Sequence, residues 1–262
     1  MSTAYVLENK KESERLEKQA KLAAYQLSEE FSNFLVKPGQ RVLDAGCGTG
    51  LVARYLAEHF PKSIIEGCDR SVDRIEHSTA TETNVQRTPI QYFISNLESI
   101  QQKNETYDAI TCRYVVEHVD SPLKVFQEFH RVLKPSGQVQ IVDFDGLLYN
   151  LHPLSDELAD MLTTLKTKAP FDLFVGRKIP HYLQQAGFKD CKWEITVHDF
   201  KGEELLGEFQ MYLERLTFAI PLLSQIFGSE TKAHRMKKIF LEEMMQPNST
   251  LFYNKFVVTG VK

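Results

Sequence analysis

Val42-Leu43-Asp44-Ala45-Gly46-Cys47-Gly48-Thr49-Gly50 is the stretch on which the fold of this chain turns. An apolar run of strand length meets three glycines at alternate positions, and Leu51–Phe60 takes up helical periodicity directly after them. Missing side chains let the backbone turn tightly and let a ligand lie against the peptide groups. In an open α/β sheet, the carboxyl end of a strand is where small ligands bind. The surrounding pattern agrees. Strand-length runs at Arg41–Leu43, Ser63–Cys68, Ile90–Ile94, Tyr107–Cys112 and Gln138–Phe144 are mostly separated by helical stretches at Leu51–Phe60, Ser71–Glu82 and Leu123–Leu133. That alternation predicts a mostly parallel sheet with helices on both faces.

The glycines admit more than one cofactor. Gly48-x-Gly50-x-x-Ala53 formally satisfies the dinucleotide pattern, but the same pattern begun at Gly46 meets Leu51 where glycine or alanine is needed. Asp44, just before the glycines, would repel a pyrophosphate and suits a cofactor bearing an ammonium group. No Gly-Lys-Ser/Thr follows, so a P-loop is excluded.

Beyond Gly146 the rhythm changes. Leu147–Lys168 reads as helical with no strand, Ile179–Ala186 as a helix and Lys192–Val197 as a strand. More than forty residues then precede the last strand, Leu251–Val258. Within them Leu205, Phe209, Tyr212, Leu216 and Ile220 recur at helical spacing, as do Met236, Ile239, Phe240 and Met244. The Met and aromatic side chains of this insertion suit either a core or an adaptable lid over a small organic acceptor. Before the glycine stretch, Glu8–Phe34 reads as one or two amphipathic helices ended by Pro38-Gly39.

Composition sets the class. The 262 residues carry 31 Lys and Arg against 35 Asp and Glu, a net charge of −4. This argues against a partner bound by broad phosphate neutralisation. The run of Lys232, His234, Arg235, Lys237 and Lys238 reads as a solvated face without the aromatic interleaving of an RNA platform. The four cysteines are far apart, with no Cys/His cluster, so neither a disulfide framework nor a structural metal site is expected. No apolar run approaches the ~20 residues of a membrane span. With no secretory pattern at Met1, a cytoplasmic location is expected. The length corresponds to roughly 1.7 typical domains.

Taken with their neighbours, these residues resemble the class I S-adenosylmethionine-dependent methyltransferases. Asp44-Ala45-Gly46-Cys47-Gly48-Thr49-Gly50 matches that family's first motif. Asp69 ends the second strand, about 20 residues beyond Gly50, where a carboxylate accepts both ribose hydroxyls. Asn96, in Ile94-Ser95-Asn96-Leu97, stands where Asp is usual near the adenine. Arg113 and the following Tyr114-Val115-Val116-Glu117-His118-Val119 resemble the segment along the methionine side. Leu133-Lys134-Pro135-Ser136-Gly137 resembles the turn into the fifth strand, with Ser136 replacing glycine. The resemblance spans residues 36–145, and a weaker one covers the leader.

It implies a Rossmann-like α/β fold: a seven-stranded, mostly parallel sheet whose last strand runs antiparallel. The whole chain, 1–262, would be one domain. It divides into a helical leader (1–35), a cofactor-binding core (36–146), segments completing the sheet (147–202 and 250–262) and a helical substrate-lid insertion (203–249). S-adenosyl-L-methionine is the implied cofactor, with Tyr5, Arg15, Gln19, Asp44, Gly46, Cys47, Gly48, Gly50, Asp69, Arg70, Asn96, Leu97, Arg113 and His118 as candidate contacts. Arg113 is expected to contribute through its backbone, its side chain being a surface ion-pair partner. No metal is implied.

A sulfonium methyl is already activated, so positioning and electrostatics supply most of the rate. A base is needed only if the acceptor must lose a proton. His118 and His152 are the catalytic candidates, with Asp143 and Asp145 at the same sheet edge. Each also has a structural reading, as loop, helix-entry or strand-end residue. The expected acceptor is a small, aromatic or amphiphilic organic molecule methylated at O, N or C. An RNA or protein methyltransferase and a non-catalytic scaffold that keeps the cofactor site stay open, as does the oligomeric state.

Overall fold

The computed structural model describes residues 19, 22–82 and 89–262. A 3-10 turn (Ala23–Tyr25) and the short helix α1 (Leu27–Glu30) lead into β1 (Arg41–Ala45), α2 (Leu51–His59), β2 (Ile64–Asp69), α3 (Val72–Ala80), β3 (Gln91–Ile94) and β4 (Tyr107–Arg113). After a second 3-10 turn (Val116–His118) come α4 (Pro122–Val132), β5 (Leu133–Asp145), β6 (Leu151–His152) and α5 (Asp156–Lys168). A third such turn (Gly176–Lys178) precedes α6 (Ile179–Gln185) and β7 (Lys189–Asp199). Helices α7 (Gly202–Phe218), α8 (Ile220–Phe227) and α9 (Glu230–Met244) follow, and β8 (Thr250–Val261) ends the chain.

The sheet runs β3-β2-β1-β4-β5-β8. Its first five strands are parallel, and β8 lies antiparallel to β5. Both β7 and β6 pair antiparallel with β8. Central β1 is buried on both faces because helices cover both. On one face α4 presents Val125, Phe126, Phe129 and Val132, a single stripe at helical spacing, to Leu43, Ile110 and Ile141. On the other, Val52, Ala53 and Leu56 of α2 pack with Val42, Ile65, Phe31 and Phe34. Ser71, Ser155 and Ser229 cap α3, α5 and α9 by accepting an amide three residues on.

Two expectations need correction. The sheet has eight strands, because Leu151–His152 forms the two-residue β6 inside a stretch that reads as helical. Gly146 and Leu148 adopt left-handed φ values of 80° and 72°, and Pro153 biases His152 toward an extended backbone. Helix formation is thereby delayed to Asp156. The insertion between β7 and β8 contains three helices. Tyr212, Met236, Phe240 and Met244 are fully buried in it, packing in one core with Tyr25, Phe144 and Tyr253. The expected leader helix is represented among the described residues by the 3-10 turn and the four-residue α1.

Candidate functional site

A cavity of about 710 Å³ opens at the carboxyl ends of β1 to β4. Parallel strands deliver their loops to the same edge, so residues far apart in the chain meet there. Its wall includes Gln19, Asp44, Gly46, Cys47, Gly48, Asp69, Arg70, Asn96, Leu97, Arg113 and His118. Of the expected contacts, Gly50 caps α2 behind this wall, with its φ at 79°. Tyr5 and Arg15 lie outside the described residues. Expectation missed Tyr25, Tyr114, Ser95, Glu98 and Asp120, which also line the cavity. Ser95 and Tyr114 lie inside segments already singled out in the sequence, and Glu98 and Asp120 stand one residue past the ends of such segments, whereas nothing local marks Tyr25.

The glycine loop spends its own amides. Gly46 and Cys47 donate to the Cys68 carbonyl at 2.8 and 2.9 Å, and Gly50 donates to Cys47 O at 2.8 Å. The Gly48 amide donates to Asp69 Oδ2 at 3.0 Å. A loop whose N–H groups are consumed in this way is a poor phosphate cradle. Gly46 is tightly held, because a Cβ there would meet Val115 Cγ2 at 2.5 Å. At Gly48 a Cβ would meet nothing within 4 Å.

Two carboxylates frame the loop. Asp44 is buried and accepts the Ala53 amide at 3.0 Å. Burial pushes its carboxyl up to about 7, an effect that the amide hydrogen bond and the more distant Arg113 charge only partly offset. Asp69 is fixed through both oxygens: Oδ1 accepts the Ser71 amide at 3.0 Å, and Oδ2 accepts that of Gly48. Each oxygen keeps a further lone pair for a hydroxyl donor. Asn96 turns its Oδ1 to the Glu98 amide at 2.9 Å, which shapes the loop after β3.

Arg113 departs from expectation. Its side chain is engaged in an ion pair with buried Glu30, and Nη2 donates to Glu30 Oε1 at 3.1 Å and to the Tyr25 carbonyl at 3.0 Å. Glu30 also accepts from Tyr114 Oη at 2.8 Å and Lys255 Nζ at 2.7 Å. Burial alone would raise the Glu30 carboxyl, but Arg113 and then Lys255 outweigh it and hold it below the ordinary value. This network anchors Tyr25 by its backbone. The Tyr25 hydroxyl donates to Glu208 of α7 at 3.4 Å, linking the cavity wall to the helical insertion. No described residue of α7, α8 or α9 itself lines the cavity.

The base candidates separate cleanly. His118 is on the wall, its Nε2 3.2 Å from Glu117 Oε1. His152 is exposed on β6 and does not line the cavity, since the extended backbone carries it to the β8 margin. Asp143 is a structural peg: it accepts the amides of Val116 and Phe144 at 2.9 Å and of Glu117 at 3.3 Å. Burial, then the Glu117 charge, raises its carboxyl well above the ordinary value. Asp145 is occupied by Arg177, whose Nε lies 2.8 Å from Oδ2. Among the described residues, no group of three His, Cys, Asp or Glu is placed to hold a metal ion, and no helix is long and apolar enough to cross a membrane.

An open α/β sheet with one buried carboxylate before the glycine loop, a second at the end of the next strand and loop amides that are already satisfied suits S-adenosylmethionine, which carries no phosphate. The sequence profile of a family described as a methyltransferase domain matches residues 16–192. The chain belongs to that family, the class I S-adenosylmethionine-dependent methyltransferases, and S-adenosylmethionine is its cofactor. It is 32% identical over 200 residues to phosphoethanolamine N-methyltransferase 3 of Arabidopsis thaliana, covering 70% of this chain and 38% of that protein. It is 38% identical over 104 residues to a ubiquinone biosynthesis O-methyltransferase of Vibrio cholerae, covering 38% of this chain and 40% of the relative. The chain thus spans about two fifths of the length of these curated relatives. In fold it is similar to phosphoethanolamine N-methyltransferase 2 of Haemonchus contortus, with a TM-score of 0.58 at 19% identity, over 91% of this chain and 53% of that one.

Proposed function

We propose that the protein transfers the methyl group of S-adenosylmethionine to a small organic acceptor, at O, N or C, by in-line displacement. The observation that carries this reading is the pairing of Asp44 and Asp69 around a glycine loop whose amides are already satisfied. Asp44 would hold the cofactor's ammonium, and Asp69 its ribose hydroxyls through the lone pairs left free by Gly48 and Ser71. Asn96 and Leu97 would border the adenine, and Arg70 the outer rim. Gly46, Cys47 and Gly48 would offer backbone to the cofactor's middle, while Gln19 and Arg113 would border its methionine end.

When bound, the cofactor supplies a methyl group on a positively charged sulfur, so the chain's task is to orient an acceptor and manage its proton. Tyr25 and Tyr114 give the acceptor side aromatic walls. His118 would take a proton from an acceptor hydroxyl or ammonium, and Glu117, 3.2 Å from its Nε2, would stabilise the imidazolium that results. The helical insertion would act as a lid through the Glu208–Tyr25 contact. Two relatives, one named a phosphoethanolamine N-methyltransferase and the other a ubiquinone biosynthesis O-methyltransferase, support a small acceptor. The test is a panel of small hydroxyl and amine acceptors incubated with methyl-labelled cofactor. Label in an acceptor, with S-adenosylhomocysteine formed in equal amount, is expected. Transfer only to RNA or protein, or to nothing, would refute the proposal.

A further inference from the structure

Strand β7 forms the outer edge of the sheet, and among the described strands it pairs with β8 alone. Trp193, Ile195 and Val197 alternate along it and are 52%, 52% and 61% exposed. Their registers explain what they are doing there. Trp193 lies opposite Val258 and Ile195 opposite Phe256, both buried, so the row shares a face with the sheet's apolar layer and runs on beyond it. From Lys192 to Asp199 the pairing with β8 is regular, and no proline interrupts the strand. Apolar edge strands invite another strand unless they are blunted.

We propose that this edge pairs with β7 of a second copy of the chain, antiparallel, about a two-fold axis perpendicular to the sheet at Ile195. Such an axis keeps like faces together. Ile195 then meets its own counterpart, and Trp193 meets Val197 twice, so all three exposed apolar side chains gain apolar partners. On the other face Glu194 lies opposite Thr196, and Lys192 lies opposite His198. His198 Nε2 is 3.4 Å from Glu204 Oε2, so Lys192 approaches an acidic neighbour. The adjacent registers are worse. Centring on Glu194 sets that carboxylate against itself, and centring on Thr196 sets Trp193 against Asp199. Pairing two strands of this length buries an area near the lower limit for stable complexes, on the order of 1,000 Å². The association is therefore concentration-dependent.

The test is sedimentation of the full chain between 5 and 200 µM, conditions chosen around about micromolar affinity. A monomer–dimer equilibrium is expected. Ile195→Lys, at an exposed position, places two ammonium groups together at the axis and should give monomer throughout, with its melting temperature and S-adenosylhomocysteine affinity unchanged. Lys192→Glu should weaken the dimer about tenfold, and adding Glu204→Lys should restore it. Wild-type protein that stays monomeric at 200 µM, or a dimer that survives Ile195→Lys, overturns the proposal. Failure of the charge swap to restore the dimer overturns the register. None of these outcomes depends on the methyl-transfer reading, which cofactor binding tests separately.

Discussion

In the proposed site, buried Asp44 would couple cofactor binding to pH, and the sign of that coupling is open to test. Burial pushes its carboxyl up to about 7 in the folded protein, against about 3.9 when unfolded. The folded state therefore holds the proton more tightly. This group's contribution to stability falls as pH rises from about 4 to about 7 and is flat above. A gap of about 3 units corresponds to about 4 kcal/mol of destabilisation at pH 8. Asn at this position keeps an oxygen for the Ala53 amide and removes the charge. Asp44→Asn should thus be more stable than wild type at pH 8, by up to about 4 kcal/mol, with the difference shrinking toward pH 4. Denaturant titrations across that range measure it. Cofactor binding should run the other way. A cationic ligand favours the ionised carboxylate, so wild-type affinity should rise about tenfold per unit up to about pH 7 and then level off. Calorimetry with S-adenosylhomocysteine in two buffers at pH 6 should detect close to one proton released. Asp44→Asn should bind more weakly at pH 8 and lose both effects. Parallel stability profiles for the two proteins, or proton uptake on binding, would refute the argument.

Gly46→Ala combines a φ of 76° with a 2.5 Å approach to Val115, and it should destabilise by about 2–4 kcal/mol. Gly48→Ala, with open space around it, should cost only about 1 kcal/mol in a denaturant titration. Glu30→Gln leaves Arg113 and Lys255 without their shared carboxylate, for a loss of about 3–5 kcal/mol by the same measurement. Because the Glu30 carboxyl is held below its ordinary value, that stability is present above the ordinary value and is lost as pH falls through the lowered one. His118→Gln should reduce kcat about 100-fold or more with acceptors that must lose a proton, leaving cofactor affinity within twofold. His152→Gln should alter neither quantity, and steady-state kinetics with both variants would expose an error in the choice between them.

Much of the candidate site is legible in the sequence, because its residues belong to short local segments. Asp44 and the three glycines lie within a single strand–turn–helix unit, and Asp69 closes the next strand. What escapes is long-range pairing. Arg113 looks like a surface residue from its own neighbours, yet its partner Glu30 is 83 positions away in the chain. The contact from Tyr25 to Glu208 crosses 183 positions. Neither leaves any local pattern. Local backbone geometry hides as well: Leu147, Leu148, Leu151 and Leu154 have the spacing of a helix, and only Gly146 and Pro153 signal the short strand between them. Asn96 illustrates a third kind of gap. A side-chain oxygen suited to an adenine amino group is also suited to the amide two residues on, and it is found on that amide.

The central claim is that Asp44 and Asp69 frame a site for a phosphate-free, cationic nucleoside cofactor. Calorimetric titration of S-adenosylmethionine into wild-type protein and into Asp69→Ala tests it most directly. The expected result is saturable one-to-one binding by wild type, at least about tenfold weaker in the variant, with no binding of NADH by either. Verifiably folded wild-type protein that fails to bind S-adenosylmethionine, or an Asp69→Ala variant that binds it equally well, would contradict the claim.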